Sequence, residues 1–222
     1  MHNPVYNALL SGDEHLSFGT DEVKFFDEEV SPFVGFDEGY YNGFSDLYEL
    51  LPAGRKILYA TCSIITQPKG WQLNRAIQGL QFVYALANEI KKAFTNVLPL
   101  GAEHVAEMIA LATLTKPGPF AAKTIDFGYY HGIFDNEKLV AMAGQRLHVQ
   151  NYTELSAVCT HPNYTGKGYA YTLLQQQLTL IMQQGQKPFL HVRADNERAI
   201  ALYQRIGFTI SRQMNFYFMK RL

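Results

Sequence analysis

The 222-residue chain has only two cysteines, Cys62 and Cys159. Without CxxC spacing or further partners they make neither a disulfide framework nor a zinc knuckle, and both read as small buried apolar residues. No apolar run approaches the length of a membrane-spanning helix. The first residues, MHNPVYNALLSGDEHLSF, lack the basic start and apolar core of a secretory signal, so a cytoplasmic address and no membrane are expected. No lysine or arginine run is dense enough for a nucleic-acid groove. The absence of GxxxxGK[ST] excludes a P-loop, and there is neither an internal repeat nor a low-complexity tract.

What is present is a core. A chain of this length with 47% hydrophobic residues can build one large domain or two small ones. The net charge of −1 conceals a split, because residues 1–54 hold eleven acidic and one basic side chain while residues 55–222 hold nine acidic and eighteen basic. The acidic stretch GDEHLSFGTDEVKFFDEEV carries Phe and Val residues it must bury, which predicts a segment docked on the basic remainder. The basic remainder favours an anionic ligand.

Residues 20–85 read as a small mixed sheet, with a strand at GRKILYATCSI and two short strands within GWQLNRAIQGLQFVYAL. GAEHVAEMIALATLT places Val105, Met108, Ile109 and Ala112 on one helical face, ended by KPGPF. Three antiparallel strands follow, turning at DNEK and near QNY. After HPNYTGKGYAYTLL, the residues Ala170, Leu173, Leu174, Gln177, Leu178 and Ile181 recur at helical spacing up to Gly185. KPFLHVRA is the next strand. DNERAIALYQRIGF is a second helix, capped by Asp195 or Asn196 and stopped by Gly207, and FTISRQMNFYFMKRL closes the sheet.

The two glycines of the loop at a helix start raise a chemical question. Such a turn presents unpaired N–H groups and the positive end of the helix dipole, an arrangement that suits phosphate. A tight strand-to-helix turn explains an isolated Gly-x-Gly equally well. A dinucleotide fold fits less well, since the flanking strands read as antiparallel.

The combination of ELSAVCTHPNYTGKGYAYTLL with PFLHVRADNERAIALYQRIGF resembles the GNAT superfamily of acyl-CoA N-acyltransferases, over roughly the last 120 residues. The resemblance implies an α+β fold: a mixed, mostly antiparallel twisted sheet flanked by helices, with a smaller N-terminal α/β extension. Residues 96–222 would be the acetyltransferase domain. Residues 1–95 would form the extension, read as a degenerate GNAT-like half, since LLPAGRKILYA followed by GW resembles the lead-in of a subgroup with an extra N-terminal half. The family's loop pattern falls on Thr165, Gly166, Lys167, Gly168, Tyr169 and Ala170, whose amides would hold the pyrophosphate of coenzyme A. Thr165 replaces a long polar side chain, and Lys167 can supply charge in its place. The resemblance further implies that pantetheine pairs with the strand edge at Val158, Cys159 and Thr160, and that Asn196 contacts it, although an N-cap accounts for that asparagine equally well.

Acyl transfer needs an unprotonated amine, a stabilised oxyanion and a proton for the departing thiolate. The resemblance points to Glu154 as base, to the N–H near Val158 as oxyanion donor and to Tyr203 as general acid. Glu154 is otherwise a solvated strand residue, and Tyr203 a core aromatic. The N-terminal half would wall the acceptor pocket with Tyr and Phe, and its carboxylates would attract a cationic amine. The scattered histidines, His161 and His191 included, read as packing or hydrogen-bonding residues with no second ligand at metal-site spacing, so no metal is expected. The expected activity is transfer of an acetyl or short acyl group from acetyl-CoA to a small-molecule or peptide amine by direct attack through a ternary complex. The competing reading is a catalytically inactive acyl-CoA-binding regulatory module. The oligomeric state stays open, a homodimer included.

Overall fold

The computed structural model describes residues 2–86 and 96–222. The boundary expected at 95/96 abuts residues 87–95, outside the described residues. Helix α1 (Pro4–Leu9) starts with Pro4 in its first turn, behind Asn3, whose side chain accepts from Tyr6 N–H. Then come β1 (Ser17–Gly19), β2 (Val23–Phe26), β3 (Phe33–Phe36), α2 (Gly43–Leu50), β4 (Lys56–Thr61), β5 (Trp71–Tyr84) and β6 (Leu98–Pro99). The remainder is α3 (Val105–Thr115), β7 (His131–Asp135), β8 (Lys138–Val149), β9 (Tyr152–Thr160), α4 (Tyr169–Gln183), β10 (Lys187–Arg193), α5 (Glu197–Ile206) and β11 (Phe208–Arg221).

Among the described residues these strands form one mixed sheet in the order β1-β2-β3-β4-β11-β5-β10-β9-β8-β7-β6. Only β3–β4 and β9–β10 are parallel pairs; the rest are antiparallel, giving the mixed, mostly antiparallel α+β architecture expected. The two stretches of chain are interleaved. β5, from the N-terminal stretch, lies between β10 and β11, while β11, from the C-terminal stretch, joins β4 to β5. FTISRQMNFYFMKRL is therefore an interior strand, not an edge.

GWQLNRAIQGLQFVYAL forms one 14-residue strand where two short ones were expected. The reason is support on both sides: β11 pairs with it from Trp71 to Tyr84, and β10 pairs with its last third. Its glycine makes no turn. A Cβ at Gly79 would lie 2.6 Å from the ring of Phe216, so this position lets the ring lie against the strand. α3 buries Met108, Leu111 and Ala112, with Leu111 taking the place expected of Ile109. The DNEK turn is as read, with Asn136 and Glu137 both at positive φ.

Apolar clusters hold the layers together. One joins α1 and α3 to a face of β3, β4, β8 and β9 and includes Phe26, Phe33, Met108 and Phe189. Another packs α4 and α5 on the opposite face through Leu174, Leu178, Tyr203 and Phe208. A third surrounds Trp71 beneath α2. The acidic N-terminal segment is docked as expected. Fully buried Asp13 accepts from His148 Nδ1 at 2.7 Å and from its backbone N–H at 3.0 Å, and Glu29 pairs with Lys123. Among the described residues no helix is long and apolar enough to cross a membrane.

Candidate active site

The sheet opens in its middle. β9 and β10 pair only from Tyr152↔Lys187 to Glu154↔Phe189. Beyond that point each follows its other neighbour, β9 along β8 to Thr160 and β10 along β5 to Arg193. A left-handed residue, Ala157 (φ 52°), sits at a register shift in the β8–β9 ladder, the signature of a bulge, which bends the strand away and leaves one residue unpaired. The result is a notch between two strand edges, continuous with a cleft of about 1180 Å³ that Val158, Cys159, Thr160 and Val192 line. Thr160 Oγ1 is buried there without a hydrogen-bond partner.

On the α4 side the cleft is backbone. Gly166 and Gly168 both have φ of 83°, and a Cβ on either would meet no protein atom within 4 Å. Conformation, not crowding, requires glycine here, and the space above each is open to a ligand. The helical ladder begins with Thr172 N–H to Gly168 O, so the amides of Tyr169, Ala170 and Tyr171 have no helical partner. Gly166, Gly168, Tyr169 and Ala170 line the cleft, together with Thr165. The Thr165 hydroxyl donates to Pro162 O at 3.1 Å and so folds back on its own loop. Lys167 stands outside the lining, its ammonium 4.6 Å from the centre of the Tyr164 ring. Asn196 combines both expected positions: it caps α5 by accepting from Ala199 N–H at 3.2 Å, and it lines the cleft.

Tyr203, on α5, is 9% exposed and lines the cleft between the rings of Phe82 and Phe208. Burial pushes its phenol up to about 12, so the hydroxyl stays protonated at neutral pH. Burial likewise raises the Cys159 thiol to about 11, against hydrogen bonds from Thr115 and with the Met142 backbone. A thiol so held is no nucleophile.

Glu154 does not fit the role of a free base. It is 0% exposed, absent from the cleft lining, and saturated with partners. Arg146 Nε donates to Oε2 at 2.9 Å and Nη2 to Oε1 at 3.0 Å, while His191 Nδ1 lies 2.7 Å from Oε1. Burial alone would raise its pKa, but Arg146 and then His191 outweigh burial and hold the carboxyl near 2, so it takes no proton at neutral pH. Its partners Arg146 and His191 are the members of this triad that line the cleft. With Gln81 Nε2 placed 3.1 Å from His191 Nε2, the imidazole is fixed at both nitrogens. This agrees with His191 as the packing or hydrogen-bonding residue expected from the sequence. Arg146 and Glu154 had left a usable trace, since they face each other four residues either side of Gln150 in one hairpin.

Opposite α4 the cleft is made of side chains on one face of four strands: Phe33 of β3, Leu58 of β4, Phe216 and Phe218 of β11, and Arg75 and Ile77 of β5. The aromatic wall expected from the N-terminal half is present in Phe33, but the expected carboxylates are not. Among the described residues the cleft is lined by Arg75, Lys116, Arg146, Arg193, Arg198 and Arg205, and by no aspartate or glutamate. No three His, Cys, Asp or Glu side chains among the described residues form a metal-binding group.

Comparison with known proteins agrees with this geometry. Residues 130–217 match the profile of the FR47-like protein family. The mycothiol acetyltransferase of Corynebacterium efficiens is 30% identical over 80 residues, which span 36% of this chain and 27% of that protein. A putative acetyltransferase from the GNAT family of Novosphingobium aromaticivorans superposes with a TM-score of 0.92 at 29% identity, covering 100% of this chain and 98% of that one. A GNAT-family acetyltransferase of Colwellia psychrerythraea shares the fold, with a TM-score of 0.55 at 14% identity over 92% of this chain and 84% of its own.

Proposed function

The chain belongs to the GNAT superfamily of acetyltransferases, and on that premise we propose that it is an N-acetyltransferase moving an acetyl or other short acyl group from acetyl-CoA to a primary amine by direct attack. The observation that carries this reading is the parting of β9 from β10 beside the Gly166–Gly168 turn, which makes one cleft out of a strand edge and a helix N-terminus.

The residues present suit acetyl-CoA. The amides of the turn and of the first turn of α4 would hold its pyrophosphate, with Arg198 and Arg205 adding charge. The edge at Val158, Cys159 and Thr160 would take the pantetheine as an added strand, and Thr160 Oγ1, buried and unpartnered, offers it a polar contact. Bound there, acetyl-CoA supplies an activated carbonyl and a thiolate leaving group.

Val158 N–H, next to the Ala157 bulge, is the donor for charge developing on the carbonyl oxygen. Tyr203 keeps its proton through neutral pH and supplies it to the departing sulfur. The buried Cys159 thiol, raised to about 11, favours direct attack over a covalent acyl-cysteine. Glu154 is saturated with partners and His191 is engaged at both nitrogens, by Glu154 and by Gln81, so the amine proton passes to solvent and this pair serves to position the cleft wall. The same reading treats residues 1–95 as a degenerate half that lends β5 to the acetyltransferase half, 96–222, and receives β11 in return.

Amine-dependent release of CoA thiol from acetyl-CoA across a panel of amines, amino acids and peptides tests the proposal. Release that requires an amine supports it; binding of acetyl-CoA with no amine-dependent release contradicts it.

A further inference from the structure

We infer that the acceptor is a primary amine carrying a carboxylate and an apolar side chain, with Arg75 as the residue that receives the carboxylate. The inference rests on the acyl-transfer reading above. The acceptor face of the cleft is ordered by strand register. Phe218 pairs with Arg75 on one side and Leu58 on the other, and Phe216 pairs with Ile77, so alternate residues of β4, β11 and β5 build an apolar floor with one guanidinium on it. Arg75 stands over the Phe218 ring, 4.8 Å from its centre.

Two of the cleft's other arginines are already matched. Arg146 forms its two hydrogen bonds to Glu154, and Arg193 pairs with Asp195. Among the described residues Arg75 has no carboxylate partner, and no aspartate or glutamate lines the cleft with it. A guanidinium supported by a ring keeps its N–H fork for a planar anion, and a carboxylate fills that fork with two parallel hydrogen bonds. A purely cationic acceptor would meet only positive charge here. An α-amino acid with a hydrocarbon side chain is the smallest molecule offering an amine, a carboxylate and a group for the Phe216–Leu58–Ile77 floor. In the transfer its amine nitrogen forms the amide C–N bond as the thioester C–S bond breaks, the amine proton is passed on and the thiolate gains one, and the carboxylate is unchanged.

Matched acceptor pairs test this: leucine against 3-methylbutylamine, and phenylalanine against 2-phenylethylamine, at saturating acetyl-CoA. The carboxylate-bearing member should be favoured in kcat/KM by about 10- to 100-fold, the usual worth of a charged, bidentate hydrogen-bonded pair. Arg75→Gln should remove most of that ratio, Arg75→Lys should restore part of it, and Lys138→Gln, on the exposed β7–β8 turn, should leave it intact. Equal kcat/KM within the pairs, or a ratio unaltered by Arg75→Gln, overturns the inference. Weakened acetyl-CoA affinity in Arg75→Gln with an unchanged ratio also overturns it and assigns Arg75 to a cofactor phosphate. Should no amine release thiol, the acyl-transfer reading fails, and calorimetry of N-acetylleucine on the CoA-loaded protein decides the anion site. Weaker binding in Arg75→Gln supports it, and equal binding overturns it.

Discussion

On the α4 side of the notch the cleft is made of main chain: two glycines at positive φ, three helix-start amides and the free edge of β9. On the opposite side it is made of side chains gathered from β3, β4, β5 and β11. The first kind of site needs only a local run of sequence, because a turn and a helix start are specified by neighbouring residues. The second exists only after the sheet has interleaved its two stretches. Between them lies the Arg146–Glu154–His191 triad, which ties the β8–β9 hairpin to β10 where the strands begin to part.

Breaking that tie should have the largest effect. Glu154→Gln leaves Arg146 in a largely buried position without its counter-charge, and should cost about 3–5 kcal/mol in denaturant unfolding; a loss below about 1 kcal/mol would show that the triad holds nothing together. The same carboxyl has an acid signature. Its folded value near 2 lies below the ordinary 4.5, so its contribution is present above pH 4.5 and is lost as pH falls toward 2, where the folded state also protonates. In Glu154→Gln that part of the acid slope should vanish.

Tyr203→Phe probes the helix side of the notch with the ring retained. It should lower kcat by about 10²- to 10⁴-fold, the range for loss of an acid, while stability changes by about 1 kcal/mol or less. Because the phenol is held near 12, no alkaline limb belonging to Tyr203 should appear below pH 11. An unchanged kcat, measured where chemistry limits the rate, would reduce Tyr203 to packing.

Gly168→Val tests the main-chain side alone. The added carbons enter the open space above the turn at a φ that valine resists, and loss of about two charge-assisted hydrogen bonds should weaken acetyl-CoA binding by about 100-fold. Calorimetry reads this, with thermal unfolding as the check on folding. Unaltered affinity in a folded variant would move the phosphate site elsewhere.

These contrasts also explain what could be read from the sequence. The glycine loop, α4, α5 with its Asn196 cap and Gly207 stop, and the DNEK hairpin are local features, and all are present. The acidic segment was correctly docked because its Phe and Val residues needed burial. The single long β5 was missed because its continuity comes from β11, well over a hundred residues away, and because Gly79 reads as a break when it is in fact clearance for Phe216. Glu154 was misjudged for a related reason: a strand glutamate looks solvated until His191 arrives on a neighbouring strand and Arg146 across the hairpin. Arg75 left no local trace at all, since its meaning depends on which charges are absent around it in space.

Hydrogen exchange of the backbone amides with and without CoA tests the central claim most directly, that the notch between β9 and β10 and the adjoining glycine turn form the acyl-CoA site. Added CoA should slow exchange in residues 158–160 and 165–172 and leave Phe33, Leu58 and Phe216–Phe218 unchanged until an acceptor is present. Protection confined to the acceptor face, or CoA binding that leaves residues 158–160 unprotected, would contradict the account.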